Sequence, residues 1–230
     1  FMKLSEKEKQ EKYKSIKKEL IEISNIEMNL RLNYVKSHPD TFASIINLEF
    51  LIHQVPKDTI RKIFDNYSSR IKKSKYARII DVFLNEHISK IGEQFQDFEG
   101  FNPKGEQVIF SEIRGEFTLI DFTSAFCKPC ILAVDELIEV KEKHSDSLEI
   151  VSFSSDIRKE DWLNSLQRDG ITWNSIWDGK GRYSETPIKY DVQGIPYFVL
   201  INPKGVIIDK WSGYGKGIIK GRLNKYLSYK

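Results

Sequence analysis

A chain of 230 residues, 40% hydrophobic and 30% charged, has the composition of an ordinary globular protein of one or two domains with a substantial core. A net charge of +3, evenly mixed along the chain, excludes the basic footprint of a nucleic-acid binder. No run reaches the roughly twenty apolar residues of a spanning helix, and Phe1-Met2-Lys3-Leu4-Ser5 turns at once to Glu and Lys, so no secretory leader is visible. A Phe before the Met reads as a cut end. A leader, membrane anchor or upstream domain is therefore expected outside this sequence.

The first ninety residues read as helices. Ser5 is placed as an N-cap, and Ile16, Leu20, Ile23, Leu30 and Tyr34 recur at helical spacing until Ser37-His38-Pro39-Asp40 interrupts. A second helix carries Phe42, Ile45, Ile46 and Leu48 up to Val55-Pro56. The third has the clearest period, with Ile60, Ile63, Phe64, Tyr67 and Ile71 on one face. A fourth shows Tyr76, Ile79, Ile80, Phe83 and Leu84 before Gly92. These stripes predict an ordinary packed helical region over 1–91, with the lysines near its start on a solvated face.

The character changes after Gly92. Residues 94–101 and 107–110 are short extended stretches around Asn102-Pro103-Lys104-Gly105, which predicts a β-hairpin. A strand over 117–122 follows, then an amphipathic helix with Ile131, Val134, Leu137 and Ile138 inward. A strand over 148–153, a helix over 159–168 stopped by Gly170, and a strand over 172–177 come next. Ser184 is expected to cap a short helix ending near Gly194. Tyr197 to Ile201 then pairs with Val206-Ile207-Ile208 through Asn202-Pro203-Lys204-Gly205, and Ile218, Ile219, Leu223 and Leu227 mark a last helix. Strands alternating with helices predict an α/β domain over 92–230, its sheet covered on both faces.

Both of the chain's two cysteines stand at the start of one helix, in Phe126-Cys127-Lys128-Pro129-Cys130. There, unpaired backbone N–H groups and the helix dipole stabilise a thiolate on Cys127, which predicts thiol–disulfide exchange. Cys127 is the expected nucleophile, with Lys128 as an added positive charge, and Cys130, one turn deeper, is expected to resolve the mixed disulfide. A zinc site needs two more ligands, and His38, His53, His87 and His144 show no paired spacing. Ile131 stands where a haem-attachment motif needs His. Pro129 suits an early helical position, and its structural and redox roles are not separable from sequence.

Cys127-Lys128-Pro129-Cys130 after a strand, with Gly194-Ile195-Pro196 before the next apolar strand, resembles the thioredoxin superfamily. The hairpin, the inserted strand and helix, and the phrases Tyr190 to Pro196 and Leu200 to Gly205 resemble its TlpA/ResA-like group. These are cell-envelope thiol reductases related to the alkyl hydroperoxide reductase/thiol-specific antioxidant family. The resemblance implies a thioredoxin-like fold: a central mixed sheet flanked by helices, preceded here by an all-α region. It also implies that Asp121 is the buried acid that takes the Cys130 proton, and that the Ile195-Pro196 bond is cis. Pro196 would then lie against the sulfurs and the Ile195 backbone would be free for an extended substrate. Lys128 and Pro129 sit where the superfamily tunes reduction potential. Phe126 replaces the usual Trp as aromatic wall, and Ala133 stands where some envelope members carry Glu.

The reading is a dithiol reductase that needs no metal or organic cofactor. Its expected partners are protein disulfide or dithiol substrates and an upstream electron-donor thiol protein, with a periplasmic or envelope location implied by resemblance alone. A peroxidase is disfavoured because, although Ser124 can stand for the Thr of a Pro-x-x-x-Thr-x-x-Cys signature, Ile120 sits where the Pro should be. A third alternative is a binding module with a thioredoxin-like scaffold. The four tryptophans, Trp162, Trp173, Trp177 and Trp211, are expected to pack rather than to touch substrate.

Overall fold

The computed structural model describes residues 4–227. Phe1 and Met2, on which the cut-end expectation rests, lie outside the described residues. The chain divides into two compact units, Phe1–Leu84 and Asn85–Lys230. This boundary falls earlier than 91/92 because residues 85–91 already hydrogen-bond within the second unit. Ser89 N donates to Lys189 O at 2.8 Å, and Lys210 Nζ donates to Ser89 O at 2.9 Å.

In the first unit, α1 (Glu6–Ser37) begins with a complete capping box between Ser5 and Glu8. Its apolar stripe is not packed as expected. Leu20, Ile23 and Leu30 are 60%, 60% and 65% exposed, and Val35 is the buried residue of this helix. Helical spacing sorts side chains onto a face but supplies no partner for it. Helix α2 (Phe42–Leu51) meets α1 near its C-terminus, where Arg31 Nη1 donates to Asn47 Oδ1 at 2.7 Å.

The expected third helix is two, α3 (Lys57–Asp65) and α4 (Ser69–Lys72), broken where Ser68 turns extended and its hydroxyl bonds Asp40. Ile60, Ile63, Phe64, Tyr67 and Ile71 stay buried across the break. Helix α5 (Lys75–Asn85) buries Ala77, Ile79, Ile80, Val82 and Leu84, while Tyr76 and Phe83 are half-buried.

The second unit is a seven-stranded mixed sheet in the order β2-β1-β5-β4-β3-β6-β7. Its strands are β1 (Glu99–Phe101), β2 (Gln107–Ile109), β3 (Phe117–Thr123), β4 (Leu148–Ser154), β5 (Asn174–Trp177), β6 (Tyr197–Ile201) and β7 (Ile207–Ser212). A short α6 (Phe110–Ile113) follows β2. Helices α7 (Lys128–Lys143) and α8 (Lys159–Arg168) carry the crossovers that make β3, β4 and β5 parallel. The two hairpins are antiparallel, and β1 docks on β5 through Phe101 and Trp177.

Both sheet faces are covered, so the central strands are buried along nearly their whole length. Alternation divides them between two cores. Leu119, Leu137, Val140, Ile150, Phe198 and Leu223 pack on the side of α7 and α10 (Ile218–Leu223). Ile120, Phe122, Val151, Phe153, Tyr190 and Val199 pack on the other.

Three local details differ from expectation. The deepest residues of α7 are Cys130, Ala133, Glu136, Leu137 and Val140, with Ile131, Val134 and Ile138 half-buried. Glu136 tolerates burial because its carboxylate accepts Gly217 N and Lys220 N, both at 2.8 Å, partners that a count of apolar residues along α7 does not contain. Helix α9 (Glu185–Lys189) stops well before Gly194, and Ser184 stands at its N-cap without a side-chain capping bond. Among the described residues, no helix is long and apolar enough to cross a membrane.

Candidate active site

Because β3 runs parallel to β4 and antiparallel to β6, the C-terminal ends of β3 and β4 and the N-terminal end of β6 share one edge of the sheet. Residues 124–126 turn the chain there into α7, with Cys127 as its extended N-cap. The Cys127 sulfur accepts the Cys130 N–H at 3.3 Å, the place a Ser or Asp oxygen takes in ordinary capping. Pro129 occupies the first turn, where its missing N–H costs nothing.

Cys127 and Cys130 are joined as a disulfide, with Cα atoms 5.2 Å apart. Cys127 is half-exposed and Cys130 is buried at 4% exposure, so an incoming group meets Cys127 first. Phe126 is 78% exposed beside them, and Lys128 and Pro129 also face solvent.

The Ile195-Pro196 peptide is cis. Tyr197 pairs with Phe122, so Pro196 lies next to the end of β3, at the edge where the cysteine turn begins. Gly213 N donates to Pro196 O at 2.8 Å. Among the described residues, no hydrogen bond engages the Ile195 N–H or C=O.

Asp121 is buried in β3 on the α7 side of the sheet. Burial pushes its pKa up from 3.8 to about 7, opposed by a hydrogen bond that Ser152 Oγ donates to Oδ2 at 3.1 Å. No lysine pairs with it among the described residues. A cavity of ≈ 20 Å³ is lined by Asp121, Cys130, Ser152 and Asp156, room for about one water molecule.

Residues 115–207 match a family model described as thioredoxin-like. The second unit is a thioredoxin-like domain. The thioredoxin-like protein YneN of Bacillus subtilis (strain 168) is 26% identical over 121 residues, which is 51% of this chain and 69% of YneN. The thiol-disulfide oxidoreductase ResA of the same organism is 23% identical over 133 residues, 57% of this chain and 73% of ResA. A solved thiol-disulfide oxidoreductase from Bacteroides fragilis NCTC 9343 superposes with a TM-score of 0.54 at 26% identity, covering 59% of this chain and 100% of that one. The chain is thus similar in fold and sequence to ResA and to the Bacteroides fragilis protein, both thiol-disulfide oxidoreductases.

The thioredoxin-like domain also contains site residues that the sequence reading passed over. Asp156, directly after β4, accepts Ser124 Oγ and Ser154 Oγ at 2.8 Å and the Ala125 N–H at 3.1 Å. Arg168, at the end of α8, donates to Ala125 O at 2.9 Å and pairs with Asp169. Ser152 is a buried hydroxyl in β4, and Trp173 donates its indole N–H to it at 2.9 Å. The four tryptophans of the domain pack as expected, with Trp162 stacked on Trp177 and Trp211 on Phe198. The only signals in the sequence were a Ser and an Asp at a strand and its end, types that occur there without function.

Proposed function

We propose that the protein is a dithiol reductase of protein disulfides, working through Cys127 and Cys130. The observation that carries this reading is the division of the pair: one sulfur is accessible at a helix N-cap, and the other is buried on a cavity it shares with a proton-binding Asp121. In the reduced enzyme the Cys127 thiolate attacks one sulfur of the partner's disulfide. A mixed disulfide forms and the partner's other sulfur leaves as a thiolate. Cys130 then gives its proton to the Asp121 carboxylate, through one water in the shared cavity, and attacks the Cys127 sulfur. The second partner thiolate departs, the partner has gained two electrons, and the Cys127–Cys130 disulfide described above is the oxidised product. An upstream dithiol protein returns the electrons.

Phe126 and Pro196 flank the sulfurs, while the unengaged Ile195 backbone offers strand-like pairing to an extended segment. Lys128 and Pro129, between the cysteines, tune the potential. No step requires a metal or organic cofactor. The envelope location and envelope protein substrates follow from the TlpA/ResA-like resemblance.

The test is the reduction potential of the pair, measured by equilibration in defined thiol/disulfide buffers with thiol trapping. A value near or below about −250 mV supports a reductase, and one between roughly −120 and −180 mV assigns an oxidant or isomerase instead. Absence of a reversible two-electron couple would remove the redox reading altogether.

A further inference from the structure

We propose that Ser152, its hydroxyl proton aimed by the indole of Trp173, is a positioning residue that readies Asp121 to accept the Cys130 proton. The inference rests on the role given to Asp121 above and adds two residues to it.

A serine hydroxyl has one proton and two lone pairs, whereas an indole N–H can only donate. Trp173 Nε1 lies 2.9 Å from Ser152 Oγ and occupies one lone pair. The remaining side-chain contact of that oxygen is Asp121 Oδ2 at 3.1 Å, so the serine proton is directed to the carboxylate. Ser152, Trp173 and Asp121 are 2%, 8% and 5% exposed, which keeps bulk solvent from the hydroxyl. The placement is built into the sheet, since Asp121 and Ser152 are register partners on parallel strands.

A hydrogen bond donated to a carboxylate favours its ionised form, whereas burial favours the acid. Ser152 thus opposes the burial that raises Asp121, and it commits Oδ2 while leaving Oδ1 to take up a proton. The titratable groups lining the same cavity are Cys130 from α7, Asp156 after β4 and Asp169 after α8, the last paired with Arg168. Strand β6 brings Phe198 opposite Asp121 and no titratable group.

The next strand repeats the device without the acid. Ser175 is the register partner of Ser152 and receives the Trp162 indole N–H at 2.9 Å. It serves as an internal control for loss of a buried hydroxyl.

The experiment follows the two phases in which the pre-reduced protein releases nitrothiobenzoate from the aromatic disulfide dithiobis(nitrobenzoate). The first phase reports attack by Cys127, and the second reports Cys130 resolving the mixed disulfide. In the unaltered protein the second phase should rise with pH through an inflection near neutrality. Ser152→Ala should move that inflection up by about one unit and slow the second phase about tenfold on its acid side, with the first phase unchanged. Trp173→Phe should move it the same way by less, Ser152→Thr should restore it, and Ser175→Ala should leave it in place. If Asp121→Asn keeps the inflection, the role of Asp121 as base is wrong. If Asp121→Asn removes it while Ser152→Ala and Trp173→Phe leave it unmoved, the Ser152 proposal alone is overturned. Should Ser152→Ala not fold, Trp173→Phe and Ser152→Thr carry the same decision.

Discussion

Both carboxylate oxygens of Asp156 lie 3.1 Å from the backbone nitrogen of Ala125, which stands just before Phe126 and Cys127. On the other side of the same residue, Arg168 holds the Ala125 carbonyl. The turn that presents Cys127 is therefore fixed at both its N–H and its C=O by residues from β4's end and α8. Removing the carboxylate in Asp156→Ala strands the Ala125 N–H and two serine hydroxyls. We expect a loss of roughly 2–4 kcal/mol in urea unfolding, together with a slower first phase of disulfide attack. Unchanged stability would mean that water replaces the carboxylate without cost.

Asp121 gives the protein a pH-dependent stability whose sign is fixed. Folding raises its pKa from 3.8 to about 7, so between those limits the native state holds a proton that the unfolded chain has released. Stability accordingly falls as pH rises through that window and levels off above it. Asp121→Asn cannot ionise and escapes this loss. At about pH 8 it should be more stable than the parent by roughly 3–4 kcal/mol, with the difference closing toward about pH 4. Urea unfolding of both proteins across that range checks it, and a gap that does not change with pH would disprove it.

The unequal exposure of the two sulfurs predicts unequal chemistry. In the reduced protein, iodoacetamide should alkylate Cys127 at least about tenfold faster than Cys130, read by peptide mass. Cys130→Ser should accumulate a mixed disulfide with a protein substrate, visible on a non-reducing gel. Cys127→Ser should form none, and trapping through Cys130 instead would reverse the assigned order.

The hairpin is locked to the inserted strand by the absence of a side chain. A Cβ on Gly100 would come within 2.5 Å of Ile176 Cγ2 and 2.9 Å of the Trp177 carbonyl oxygen. Gly100→Ala should cost about 1–3 kcal/mol by overpacking. Gly92→Ala, at a position with open space but a φ of 93°, tests backbone strain instead and should cost about 1 kcal/mol.

In the first unit, the exposed stripe of α1 and the buried residues of α2 predict opposite sensitivities. Leu48→Ala should cost about 2–5 kcal/mol, because Leu48 is fully buried. Leu20→Gln and Leu30→Gln should each stay within about 0.5 kcal/mol. A large loss from either glutamine variant at high protein dilution would show that the stripe is packed after all.

What the sequence by itself determined was local. Period-two and helical patterning located the strands and helices, Gly and Pro located the turns, and the Cys-x-x-Cys at a strand-to-helix junction located the chemistry, because each depends on neighbours a few residues away. The resemblance carried by Cys127 to Cys130 and by Gly194-Ile195-Pro196 supplied the fold and the expectation for Asp121. Tertiary structure alone decided the rest. It left the α1 stripe exposed, since periodicity does not specify a partner. It made Glu136 a buried cap for α10, since its donors come from far along the chain. It also joined Asp121 to Ser152 and Trp173, and Ala125 to Asp156 and Arg168, through strand register and helix packing, which no spacing in one sequence encodes. A hydroxyl or carboxylate acquires its role from the groups the fold brings within hydrogen-bond reach, and those distances exist only once the sheet has formed.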